Sequence, residues 1–157
     1  VTFLAVFIYD FIYKSALAKN VRLVTIISLL LILGVEYLMI HCGQFGYRAF
    51  NIHIGAMFGS MMAFNVWFRI WPAQQKIISA IRDGETPDGD LMALAGLRSK
   101  HNTYLSVPLI WTMINQHTVV FSGKLCGCTG LVLAIVIPLG WHIVFQLYKK
   151  AAKVKGF

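Results

Sequence analysis

The chain has 157 residues, 58% of them hydrophobic and only 13% charged, with a formal net charge of +8. Soluble domains usually carry about 25% charged residues, so this composition excludes a water-soluble globule around one small core; the surplus apolar surface calls for lipid. The positive residues lie at the ends of apolar runs, not along a face interleaved with stacking aromatics, which argues against a nucleic-acid partner.

Val1 to Tyr13 is apolar but shorter than the roughly 20 residues that a membrane span takes. No basic segment precedes it, so it does not read as a signal peptide. It reads as the end of a helix that begins upstream. Lys14 to Arg22 is a basic connector, and residues 21–40 are a continuous apolar run interrupted by Glu36. A short turn from His41 to Arg48 leads into residues 49–71, apolar and rich in Met and small side chains. Pro72 is expected to end that span, because proline cannot continue the hydrogen-bond ladder.

Residues 73–103 form the one substantial polar segment. Gln74 to Arg82 is patterned as an amphipathic surface helix, Asp83 to Asp90 as a turn-rich acidic loop, and Leu91 to His101 as a short helix leading into the next span. The loop carboxylates Asp83, Glu85, Asp88 and Asp90 lack the spacing and terminal bidentate Glu of a calcium loop, so a surface role is expected. Residues 104–121 are apolar again, Ser122 to Lys124 is a tight turn, 127–148 is the last span with a kink site at Pro138, and Lys149, Lys150, Lys153 and Lys155 make a basic tail.

The expected fold is all-α: a single transmembrane helical bundle with four complete spans, near 21–40, 49–71, 104–121 and 127–148, preceded by a partial one at 1–13. Lys and Arg concentrate in the 14–22, 73–103 and C-terminal segments, while the opposite turns hold only Arg48 and Lys124. The positive-inside rule then puts the former, with the C-terminus, in the cytoplasm of a bacterial inner membrane. Cys42, Cys126 and Cys128 fall on the outer side, as apolar filler or as a disulfide from Cys42 to one of the other two.

Ionisable groups within spans are costly and need a reason. The topology brings Glu36, His41, His53 and His117 to a similar depth in the outer part of the bundle, with Arg48 just above. Two imidazoles from separate helices at one depth are suited to ligate a haem b iron axially. The expected ligands are His53 and His117. Arg48 is placed to pair the haem propionates, and Glu36 and His41 to tune the site by hydrogen bonding. Gly55, Gly59, Ser60 and Ala63, at helical spacing, either leave room for the macrocycle or let two helices approach closely. His142 lies towards the inner side, serving packing or a second site with His101. Asn65 and Arg69 are also on the inner side and are assigned no catalytic role.

Four motifs occur in order: Asn51-Ile-His53-Ile-Gly55-Ala-Met57; Asn65-Val-Trp-Phe-Arg-Ile-Trp-Pro72 running on to Lys76; Arg98-Ser-Lys-His101-Asn102-Thr-Tyr104; and Asn115-Gln-His117. Together they resemble the membrane module of the bacterial cytochrome c-linked urate oxidase family. The resemblance implies oxidation of urate with electrons passed to a cytochrome c, and it carries over His53, His101, Asn102, Asn115 and His117. No CxxCH haem-attachment motif occurs, so the cytochrome is expected as a periplasmic partner, alongside lipid and other membrane subunits. The alternative reading is a non-catalytic electron-transfer or structural subunit of a larger respiratory or photosynthetic complex.

Overall fold

A computed structural model describes residues 2–118 and 130–154; in these the protein is all-helical, with no strand. Helix α1 runs Ala5–Lys14 and is followed by a 3₁₀ turn, Ala16–Lys19. Helix α2, Val21–Tyr37, starts under a cap in which Asn20 Oδ1 accepts the Leu23 N–H, and it runs on through a π turn, Leu38–Cys42. Helix α3 is Tyr47–Asn65, α4 is Trp71–Arg82, α5 is Gly89–Asn115 and α6 is Leu131–Ala151.

Two boundaries differ from expectation. Pro72 does not end its helix. A π turn at Val66–Ile70 precedes it, and the helix passes directly into α4 with proline in the first turn. There the missing N–H and fixed φ are tolerated, and the wider π turn absorbs the misfit. Leu91–His101 is likewise not a separate helix but the first half of α5, whose N-cap Asp88 accepts the Asp90 N–H at 2.8 Å. The acidic residues 83, 85, 88 and 90 are all exposed. Cys42 is a free, exposed thiol. The 122–126 turn, with Lys124 and Cys126, lies outside the described residues, as do the ends of the expected spans at 119–121 and 127–129, the latter with Cys128.

The core is organised around α3. Phe50, Ile54, Met57 and Phe58 are almost wholly buried, against Leu105 of α5 and Leu133 and Ile137 of α6. Polar side chains are buried too: Asp10, Glu36, Asn51, Asn65, Arg98, Thr112 and Asn115. Large apolar side chains face out in stripes, with Phe7 and Phe11 along α1, Phe3 just before it, and Leu131, Ile135, Leu139, Ile143 and Leu147 along α6. Two helices, Val21–Cys42 and Leu131–Ala151, are long and apolar enough to cross a membrane. The central α3 and the first half of α5 are more polar because their surroundings are protein: Asn51, Asn65 and Arg98 all turn inward.

Helices α3 and α5 touch at Gly55. A Cβ there would come within 2.7 Å of Thr112 Oγ1 and 2.5 Å of Met113 Cε. The Thr112 hydroxyl is held in place by the Pro108 and Leu109 carbonyls. Of the two readings of the small-residue stripe, close helix approach is the one realised at this position. Gly55→Val should therefore destabilise the bundle by about 1–3 kcal/mol through overpacking. Gly34→Ala, whose added Cβ meets nothing within 4 Å, should stay within about 0.5 kcal/mol. Unfolding midpoints of the two purified variants in one detergent check the contrast.

Candidate functional site

The outer residues selected by depth are spread around the bundle. His53 is half-buried on α3, and its Nδ1 donates to the Ala49 carbonyl at 2.7 Å, which leaves Nε2 unengaged; the Phe45 ring lies tilted 4.8 Å from its own. His41 is exposed and rests 4.3 Å from the Tyr37 ring. Arg48 is exposed at the start of α3, and His117 is exposed just beyond the end of α5. Glu36 is 3% exposed, and its Oε1 has no hydrogen-bond partner among the described residues. It abuts Gly130 at the entry to α6, where an added Cβ would lie 3.2 Å from that oxygen, and it does not bond a histidine. Asn115, carried over from the resemblance, donates to the Tyr47 hydroxyl and closes the α3–α5 seam at this end.

The densest polar assembly is at the opposite end of the bundle, where residues from α1, α3 and α5 converge. Asp10 is its only carboxylate. Its Oδ1 accepts from Arg69 Nε and Arg98 Nη2, both at 3.0 Å, while its Oδ2 takes Arg69 Nη2 at 2.5 Å and Lys14 Nζ at 3.0 Å. One helical turn spaces Asp10 and Lys14 correctly for this. Arg69 reaches Asp10 from the π turn that precedes Pro72.

Beside this ion cluster runs a chain of neutral hydrogen bonds. The Tyr9 hydroxyl pairs with His101 Nδ1 at 2.9 Å and accepts from Asn65 Nδ2 at 2.8 Å. Asn65 also donates to Asn102 Oδ1, and Asn102 Nδ2 donates to the Met62 carbonyl. The Tyr13 ring lies 4.3 Å from the imidazole of His101, and the Arg98 guanidinium sits 5.3 Å over the Tyr9 ring and 6.0 Å over that of Tyr13. Burial, with the nearby charges of Arg98 and Lys100, lowers the pKa of His101 to about 4. The imidazole is therefore neutral at pH 7 and can serve as a hydrogen-bond partner on either nitrogen.

His101 and Asn102 are two of the residues carried over from the resemblance, and the structure joins them to each other's neighbours at this end. Asn65 and Arg69, assigned no role from sequence, belong to the same assembly. Arg98 opens one of the four motifs but was given no role, and Tyr9, Asp10 and Tyr13 were given none either. The signal that could have found Asp10 is its position as an acid inside an apolar run, one turn before a lysine. His142 takes no part: it is exposed and contacts Gln146 of its own helix. Among the described residues no three His, Cys, Asp or Glu side chains converge on one metal-sized site.

A family model described as urate oxidase N-terminal matches residues 1–155. No curated protein and no solved structure matches the chain.

Two outcomes follow from the inner assembly. Asp10→Ala leaves the buried Arg98 without its counter-charge and should cost about 3–5 kcal/mol of stability, read from the unfolding midpoint in detergent. The His101 pKa is depressed in the fold, so the unfolded chain binds the extra proton first as pH falls below about 6.5. The stability that neutral His101 contributes is complete above that pH and is lost as pH falls towards 4. His101→Gln should flatten the fall in unfolding midpoint between pH 7 and pH 4.5.

Proposed function

The chain belongs to the urate oxidase N-terminal family, and from that premise we propose that it is a membrane-embedded redox module that oxidises urate and passes the electrons, by way of haem b, to a cytochrome c. The observation that carries this reading is the family match along almost the whole chain. Four spans in a bacterial inner membrane, with the C-terminus in the cytoplasm, are part of the proposal. Support for them comes from the exposed apolar stripes of α1 and α6 over buried polar side chains and from the two helices that pass as spans by length and composition.

His53 is the residue that would hold the haem iron. A backbone carbonyl holds its Nδ1–H, the arrangement that fixes the tautomer of metal-bound histidines and leaves Nε2 for the metal. It stands two residues before Gly55, hence about 200° around the helix from the closed α3–α5 seam, so its free nitrogen faces away from α5, and His117 would meet a haem there only from beyond the end of that helix. His117, exposed at the end of α5, is the proposed second ligand. Arg48, exposed five residues before His53 at the start of α3, is the donor proposed for the propionates. Bound there, the haem would supply a one-electron relay between a two-electron donor and the cytochrome. The protein's own part is to fix the imidazoles, keep water from the buried polar groups and present its outer face to the partner. The direct packing of α3 on α5 at Gly55 favours a second reading, a structural subunit that packs against others.

The absorption spectrum of the purified full-length protein separates the two. A reduced-minus-oxidised haem b signal that urate elicits without oxygen is the expected result. His53→Ala and His117→Ala should abolish it, and His41→Ala should only shift the midpoint potential. A folded protein with no haem absorption would leave the structural reading in its place.

A further inference from the structure

Between α5 and α6 the surface is cut by a groove of about 680 Å³, walled by Val107, Ile110 and Trp111 on one side and by Val136, Leu139 and Ile143 on the other. It opens outwards: Ile110 is 55% exposed and Ile143 47%. An apolar groove of this kind takes hydrocarbon and not water, which would find too few polar partners in it. Each wall leads to a lysine. A helix returns to the same face after seven residues, or two turns, so Lys100, Val107 and Ile114 form one stripe on α5, and Val136, Ile143 and Lys150 form one on α6. Each stripe measures about 21 Å from its lysine to its far end. That is the depth of one bilayer leaflet, half of about 40–45 Å with headgroups included. Tyr148 ties the two helices at the lysine end: its hydroxyl donates to Thr103 Oγ1 at 3.0 Å, and Lys100 Nζ lies 4.8 Å over its ring.

Charge selects the headgroup. No Asp or Glu follows Asp90 in the sequence, and every charged side chain after it is Lys or Arg. Lys100 and Lys150 are exposed, and neither has an ion-pair partner among the described residues. We propose that this groove binds one anionic phospholipid: an acyl chain lies between α5 and α6, and Lys100 and Lys150 take the phosphodiester. A zwitterionic headgroup would bring its own cation up to two lysines with no carboxylate of the stripe to receive it. The inference needs the membrane placement in the functional reading above, but neither its haem nor its urate. Lys149 is the internal comparison. It adjoins Lys150 in sequence but lies about 100° round the helix, off the groove stripe.

Native mass spectrometry of the full-length protein, released from detergent after incubation with equimolar phosphatidylglycerol and phosphatidylcholine, reads the retained lipid directly. One phosphatidylglycerol per chain should be kept in preference. Lys100→Gln and Lys150→Gln should each weaken its retention about fivefold, the scale of one lysine beside an anionic headgroup, while Lys149→Gln should leave it unchanged. Ile143→Trp, which fills the groove from an exposed position, should lower retention of both lipids. Inorganic phosphate in excess should not displace the lipid; displacement would reduce the lysines to a free-anion site and overturn the role of the groove. Equal loss from all three lysine variants would mark the general pull of a basic surface, and equal retention of the two lipids would mark no headgroup selection; either result overturns the site. Absent lipid selectivity with urate-driven haem reduction intact strikes this inference alone. A haem-free protein that keeps its phosphatidylglycerol strikes the functional reading alone.

Discussion

One carboxylate holds the inner half of this molecule together. Asp10 sits on a helix of ten residues, too short to be stable alone in water, whose outer face carries Phe7 and Phe11. What anchors that helix is the meeting of Asp10 with Arg69 and Arg98, 59 and 88 positions away in sequence. At an effective dielectric of about 20, a single such pair at 4 Å is worth about 4 kcal/mol before desolvation. The three cations also repel one another, so the cluster holds only while the carboxylate is charged. The Tyr9–His101 and Asn65–Tyr9 bonds depend on this anchoring, because Tyr9 precedes Asp10 on the same turn.

Much of the architecture was legible in the sequence. The apolar runs gave α1, α2, α3 and α6 to within a few residues, because a long uninterrupted hydrophobic stretch has few other ways to satisfy its backbone. Pro72 was misleading: it looks like a helix end when only the local ladder is considered, and a π turn carries the helix past it. Residues 91–101 are helical as read, and the structure adds that they run unbroken into the next span as α5. Depth along a span could be counted from residue numbers, but direction around the helix could not. This is why Glu36, His41, His53 and His117 came out at one level and yet face different neighbours. The inner assembly was hidden for a further reason: its ion pairs join distant segments, and no local spacing records them.

The two ends of the bundle differ in character. The outer end presents histidines with solvent access and little mutual contact, whereas the inner end packs its polar groups into one hydrogen-bonded unit.

The π turn at Val66–Ile70 has a consequence beyond tolerating proline. A turn that takes in one extra residue advances the helix by about 100° relative to a regular α-helix. Side chains after Pro72 are thus out of phase with those before it. Arg69 lies within the shift and is swung towards Asp10, and Ala73 and Ile77 of α4 become the inward face. Any helical-wheel projection drawn straight through 47–82 would paint the wrong stripe on one half. A relative lacking a single residue in this stretch would present a different surface from the same string of amino acids.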